Sequence, residues 1–389
     1  MAFLARHILT AIALLGLSHC VENVCDLRSL DDARFVMREL PIAASHPLVA
    51  AAVLPDGKTI TVSRPAEELR HLEMSGAQML PIVVQTQNVL GEGLSTDEEG
   101  WWYTTESREK ESSGTLFVHA ERGGAIETTF VAHPQRMLTV SLPLAGAEPR
   151  TLLLSNLTLT AYEISEMTPS GTRRTWRSPA AAARLGYGLE SAEPLPGNRA
   201  AIVSIEKHDS RGPAAVVLRV LAEEEDVAPI TVGTLPTASD LTTAVQPDGT
   251  MAIALATRRG ITSVVQAAVI DPSTAATNAP LKWIEMSPPG AISPKVVATS
   301  EGFVVAWLEE GRPFRLRARE IRNGRAGLYA ITVGETGSDA FFTVQVGRDE
   351  LTFLWMNTSG QAVARTYPAP ITGVDLVQRM LERLRCDES

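Results

Sequence analysis

A pattern of strand, tight polar turn, apolar strand, short polar loop and alternating strand returns about every 50 residues along this chain. It is clearest in Thr243–Asp271, Lys295–Arg322 and Phe342–Tyr367, where Asp248-Gly249, Glu301-Gly302 and Asp349-Glu350 occupy the turn. These are hairpin signals, strongest where glycine supplies a positive φ. Trp307 and Trp355 stand at the same offset beyond their turns, which supports a true repeat. With the second turn residue as marker, earlier copies fall at Gly57, Gly100, Arg136 and Asn198, and successive markers lie 36 to 62 residues apart.

Units of this size suit propeller blades. Each blade is a four-stranded antiparallel sheet whose middle strands, buried on both faces, read as unbroken apolar runs, while the outer strand alternates. Phe314–Arg319 reads as such an outer strand, its arginines facing water at period two. One repeat cannot bury its own faces, so radial stacking follows. The expected fold is all-β: a β-propeller of about seven four-stranded antiparallel blades over residues 45–370, with six or eight blades still open. A pair of β-sandwich domains divided near the Ala-rich stretch Ser178–Glu193 is the competing arrangement. Aromatic residues are only 5% of the chain, which fits neither the Trp-marked WD repeat nor the kelch repeat. The unit Gly302–Ile321 (GFVVAWLEEGRPFRLRAREI) resembles the propeller-type secreted and lipoprotein repeats of predatory and social delta-proteobacteria. The resemblance spans residues 240–367 and implies a fold, not an activity.

The ends read differently. Residues 1–19 form an expected signal peptide, with Arg6 ahead of the mostly apolar run Ile8–Leu17, too short to span a bilayer. Cleavage after Ser18 competes with lipidation at Cys20, where Leu17-Ser18-His19-Cys20 resembles a bacterial lipobox with His19 in place of the usual small residue. Residues 20–44 form an N-terminal segment with a short helix over Ala33–Leu40, and residues 371–389 a C-terminal amphipathic helix bearing Val374, Val377, Met380, Leu381 and Leu384 on one face. Cys20, Cys25 and Cys386 are the only cysteines. A Cys25–Cys386 disulfide closing the mature chain end to end, and a local Cys20–Cys25 bridge, are both open.

The search for chemistry excludes more than it finds. The formal net charge of −10, with no basic stripe, argues against nucleic acid as partner, and a membrane is reached only through a lipid on Cys20. There is no G-x-S-x-G, no H-E-x-x-H and no phosphate-cradling glycine loop, so no catalytic residue, metal or cofactor is assigned. His119 and His133 read as strand histidines, and the acidic runs Asp97–Glu99 and Glu223–Asp226 as solvated loops. Trp101-Trp102-Tyr103 concentrates aromatic area, with at least one ring in a blade core and a contact platform as the functional alternative. The resulting expectation is an exported, non-enzymatic platform for an envelope protein or glycan, located in the periplasm, at the outer membrane or outside the cell. The alternative is an envelope glycan hydrolase or lyase with its site at the channel mouth.

Overall fold

The fold is described from a computed structural model, which covers residues 37–43, 47–54, 58–66, 69–74, 77–83, 89–90, 92–96, 100–109, 112–121, 124–133, 139–144, 149–158, 161–179, 189–207, 213–223, 226–275, 281–328, 330–337, 341–347, 350–369 and 371. The described part is all β. Strand β1 (Met37–Ala43) precedes blade 1, which consists of β2 (Leu48–Val53), β3 (Thr59–Ala66), β4 (Leu69–Met74) and β5 (Ala77–Val83). After the short β6 (Val89–Leu90), blade 2 is β7 (Glu92–Thr96), β8 (Gly100–Glu109), β9 (Ser112–Glu121) and β10 (Glu127–Ala132). Blade 3 is β11 (Thr139–Leu144), β12 (Arg150–Thr158), β13 (Ala161–Thr168) and β14 (Gly171–Pro179). Blade 4 is β15 (Glu190–Leu195), β16 (Arg199–Lys207), β17 (Ala214–Leu221) and β18 (Ile230–Leu235). Blade 5 is β19 (Ser239–Val245), β20 (Met251–Arg259), β21 (Thr262–Ile270) and β22 (Ile284–Glu285). Blade 6 is β23 (Ala291–Thr299), β24 (Gly302–Glu309) and β25 (Phe314–Arg322), with both β26 (Arg325–Ala326) and β27 (Ile331–Thr336) outside it. Blade 7 is β28 (Phe342–Val346), β29 (Glu350–Met356) and β30 (Gln361–Pro368), completed on its outer edge by β1.

Seven antiparallel sheets thus form one ring, as the repeat predicts. The first strands of the blades are its inner wall: β2, β7, β11, β15, β19, β23 and β28 each touch the next, and β28 returns to β2. Second strands are buried along their middles, as in Ala252–Thr257 and Phe303–Leu308, which explains their apolar runs. Clusters between neighbouring sheets hold the ring together, for example Val304, Ala306 and Leu308 of blade 6 against Leu351, Phe353 and Trp355 of blade 7. The Ala-rich stretch divides no domains: Pro179 ends blade 3, Glu190 begins blade 4, and Leu142 and Ile202 share one core cluster across that boundary.

Several expectations are corrected. The helix over Ala33–Leu40 is not formed where the structure describes it, since Met37–Ala43 is a strand paired with β30 through Met37↔Arg365, Arg38↔Ala364 and Glu39↔Val363. The capping pattern before it was outweighed by an open sheet edge that needed a partner. Arg136 is not a hairpin marker: the apolar run after it is the inner strand β11, and the second strand β12 begins at Arg150. With that change the second strands start at Thr59, Gly100, Arg150, Arg199, Met251, Gly302 and Glu350, at nearly even spacing. Phe314–Arg319 lies in the third strand, not the outermost; Arg317 donates to the Ala330 carbonyl and Arg319 to that of Gly327. The signal segment, Cys20, Cys25, Cys386 and the C-terminal helix lie outside the described residues.

Candidate functional site

The aromatic triplet is not a surface platform. Trp101, Trp102 and Tyr103 lie on β8, the buried second strand of blade 2, at 3%, 3% and 0% exposure. A second strand turns both faces to neighbouring blades, so alternation hides all three rings. The Tyr103 hydroxyl donates to Glu92 at 2.6 Å, and Glu92 also receives Arg70 from blade 1 at 2.8 Å. Burial and the Glu92 carboxylate push the Tyr103 phenol well above its usual range. The group is a staple between blades 1 and 2.

Other buried polar groups serve the same purpose. Arg219 on β17, fully buried, donates to Glu206 at 2.6 Å and Ser204 at 3.0 Å, and reaches into blade 3 to Ser178 at 2.8 Å and the Pro179 carbonyl at 3.0 Å. Its guanidinium lies 5.1 Å from the centre of the Tyr162 ring. His133 does have an acidic partner, with Nε2 2.7 Å from Glu106, whose other oxygen accepts Thr115. That pair is buried within blade 2, joining its second strand to the end of its fourth.

The inner wall carries a different set. Strand pairing together with the side each core cluster faces defines two levels of forward-facing positions, one per blade. At the level nearer the strand starts these are Ser191, Thr242, Lys295 and Thr343 on blades 4 to 7, against Ala50, Gly93 and Val140 on blades 1 to 3. One level deeper, Glu193 and Gln345 are joined by Ser95 and four apolar residues. Lys295 and Glu193 are therefore the only ionisable side chains of the two levels.

Each has a marked environment. Lys295 is exposed to water, yet burial by the surrounding blades lowers its ammonium pKa. A side chain both wetted and enclosed occupies a concavity, which on an innermost strand is the central channel. The Asp240 carboxylate opposes that shift through space, but no ion pair closes between the two within 4 Å. Asp240 itself is exposed at the start of β19. Burial pushes the Glu193 carboxyl up to about 8, against a smaller lowering by Thr243, whose hydroxyl donates to it at 3.3 Å and lies 2.7 Å from Ser191. Glu193 thus keeps its proton at neutral pH.

The backbone is specialised at the same end. Asp240 and Ser293 adopt φ of 50° without being glycine, each inside a bulge near the start of its inner strand. Residues held in the left-handed region cost about 1–3 kcal/mol and gather at ligand sites, and bulges re-aim the side chains that follow. On the other side of this mouth β6 pairs in parallel with Thr139 and Val140, lying along the inner edge of blade 3. At the far end Gln345 accepts the Val53 N–H at 2.8 Å and donates to Thr96 at 3.4 Å, bracing blades 7, 1 and 2. Polar groups of blades 4 to 6 consequently face the strand-start mouth. Among the described residues no cluster of His, Cys, Asp and Glu could hold a metal ion.

No protein-family model and no curated protein matches this chain. Among solved structures it is similar to the sialidase of Trypanosoma rangeli in complex with the inhibitor DANA, at 12% identity over 79% of this chain and 59% of that one, TM-score 0.40. It is also similar to the GH93 alpha-L-arabinofuranosidase of Fusarium graminearum, at 13% identity over 86% and 96% of the two chains, TM-score 0.41. The Synechocystis apocarotenoid oxygenase follows, at 12% identity over 87% and 93%, TM-score 0.42. The chain spans about three fifths of the length of the sialidase. At these distances the likeness assigns no activity.

The sequence reading missed every channel residue. Glu193 falls at the end of the Ala-rich stretch, and Asp240 and Lys295 are single charges at strand starts. Their one signal was position within the repeat, visible only once the blades are in register. A second missed pattern is Ile-Thr-Val-Gly at 230–233 and 331–334, where Gly233 meets Trp283 and Gly334 meets Trp355. It marks the outer strands of blades 4 and 6.

Proposed function

We propose that this chain is an exported, cell-envelope β-propeller that binds a glycan at the strand-start mouth of its central channel. The observation that carries the reading is the open pair of Lys295 and Asp240 with a protonated Glu193 deeper in the same sector. Neighbouring hydroxyls of a saccharide both donate and accept: one accepts from the ammonium while the next donates to the carboxylate, and a neutral carboxyl does either. Ser191, Thr242 and Thr243 add hydroxyls around them. Loops from seven blades converge on such a mouth, which is where a concave polar site belongs on this architecture. The apolar run Ile8–Leu17 supports the export on which this reading depends.

Isothermal titration with a panel of envelope-derived oligosaccharides tests the reading. Binding that weakens in Asp240→Ala and Glu193→Ala, but not in Arg174→Ala on the outer part of blade 3, is expected. No binding across the panel, or binding indifferent to both channel variants, would contradict it.

A second reading, glycan hydrolysis, is favoured by one observation: a carboxyl that stays protonated to about pH 8 is a proton donor for a leaving oxygen. Glu193 would be the acid and Asp240 the base. Release of new reducing ends by the wild type and its loss in Glu193→Gln would support catalysis; intact oligosaccharide after prolonged incubation leaves binding alone.

A further inference from the structure

We propose that the glycan bound at this mouth carries a carboxylate, held by the Lys295 ammonium; the inference rests on the glycan-binding reading above. Lys295 is the one cation of the two inner-wall levels, and no hydrogen bond or ion pair satisfies it among the described residues. Arg70, which also reaches an inner strand, is tied down by Glu92. A wetted but enclosed ammonium whose nearest carboxylate, Asp240, acts only from beyond ion-pair distance is an incomplete site, because bringing a charge partly out of water is recovered only by a close partner of opposite sign.

The surroundings select the partner. Thr242 and Thr343 stand at the same level on either side of Lys295 and supply hydroxyl donors. Glu193 below adds a carboxyl that donates rather than repels while it holds its proton. Asp240 does not complete the site, since it lies on the bulge above this level and outside ion-pair distance. The chain carries a formal net charge of −10, so the Lys295 ammonium, not the summed charge of the molecule, is what draws an anionic ligand to this mouth. A uronic acid residue within an oligosaccharide satisfies all of these groups: its carboxylate accepts from the ammonium and the threonines, and its ring hydroxyls reach Asp240.

The test compares two ligands of equal length, the trimer of α-1,4-linked galacturonate and the corresponding neutral galactose trimer, titrated calorimetrically into the full chain. A hydrogen-bonded charge interaction is worth about 1.5–3 kcal/mol, so a preference for the acidic trimer of about ten-fold or more is expected, shrinking as salt is added. Lys295→Gln should bring the two affinities together, and Lys295→Arg should keep the preference. Thermal melting of both variants confirms that the ring is intact, and if Lys295→Gln fails to fold, the salt dependence of the wild type decides. Equal affinity of the wild type for the two trimers, or a preference that survives in folded Lys295→Gln, overturns the inference and leaves the glycan reading standing. Failure to bind either trimer overturns the inference, and the glycan reading falls with it only if the oligosaccharide panel also shows no binding.

Discussion

Glu193 is a carboxyl that the ring holds in its neutral form. Its folded pKa, about 8, lies above its unfolded value, so the folded state retains a proton that the unfolded state has released. The sign follows: stability from this group is fully present below the unfolded pKa, near 4.5, and is lost as pH rises towards 8. Melting temperatures of the wild type should therefore fall between pH 5 and pH 8 relative to Glu193→Gln, in which that slope is absent; parallel curves would refute the assignment. Arg219 works in the opposite way, as a buried charge that is fully paired. Replacing it with Met removes the cation beside the buried Glu206 carboxylate, to which Ser204 still donates, and removing one partner of such a pair costs about 3–5 kcal/mol, readable as a lowered denaturation midpoint. Gly93 is constrained by space: a Cβ there would stand 2.3 Å from that of Pro143 on blade 3. Gly93→Ala should destabilise by about 1–3 kcal/mol through overpacking, measurable by denaturant titration. None of these roles was written in local sequence, because each depends on a residue of another blade.

At the scale of elements, legibility followed burial. The second strands were read correctly wherever a turn with Asp-Gly or Glu-Gly preceded them, since a strand buried on both faces must be apolar throughout. At Arg136 the pattern misleads, because the inner strand Thr139–Leu144 is as apolar as a second strand and the sequence just before Arg150 carries no Asp-Gly or Glu-Gly signal. The burial of Trp101–Tyr103 is not legible locally, because aromatic concentration says nothing about which strand of a blade carries it. Strand β1 is the largest surprise of this kind. Its sequence, MRELPIA, has neither alternation nor β-branched richness, and its place is set by the free edge of β30. Truncation of the chain through Ala43 exposes that edge. The truncated protein should melt at lower temperature and regain stability when a peptide spanning residues 36–46 is added; an unchanged melt would show that the ring closes without β1.

For the whole molecule, the period of the sequence carried the architecture, while the channel escaped notice because it is assembled from one or two residues of each blade. Lys295, Thr242 and Ser191 are about 50 residues apart in sequence and share a level only through ring closure. The ring in turn explains how an acidic chain with few aromatic residues presents a compact polar site: inner strands packed side by side enclose charges that remain open to water from one mouth. On the proposed function, a glycan enters there. Hydrogen–deuterium exchange of the full chain, with and without a saturating oligosaccharide identified by titration, tests it most directly. Protection confined to the inner strands Glu190–Leu195, Ser239–Val245 and Ala291–Thr299 is the expected result. Protection on the outer strands, with these three unchanged, would contradict it.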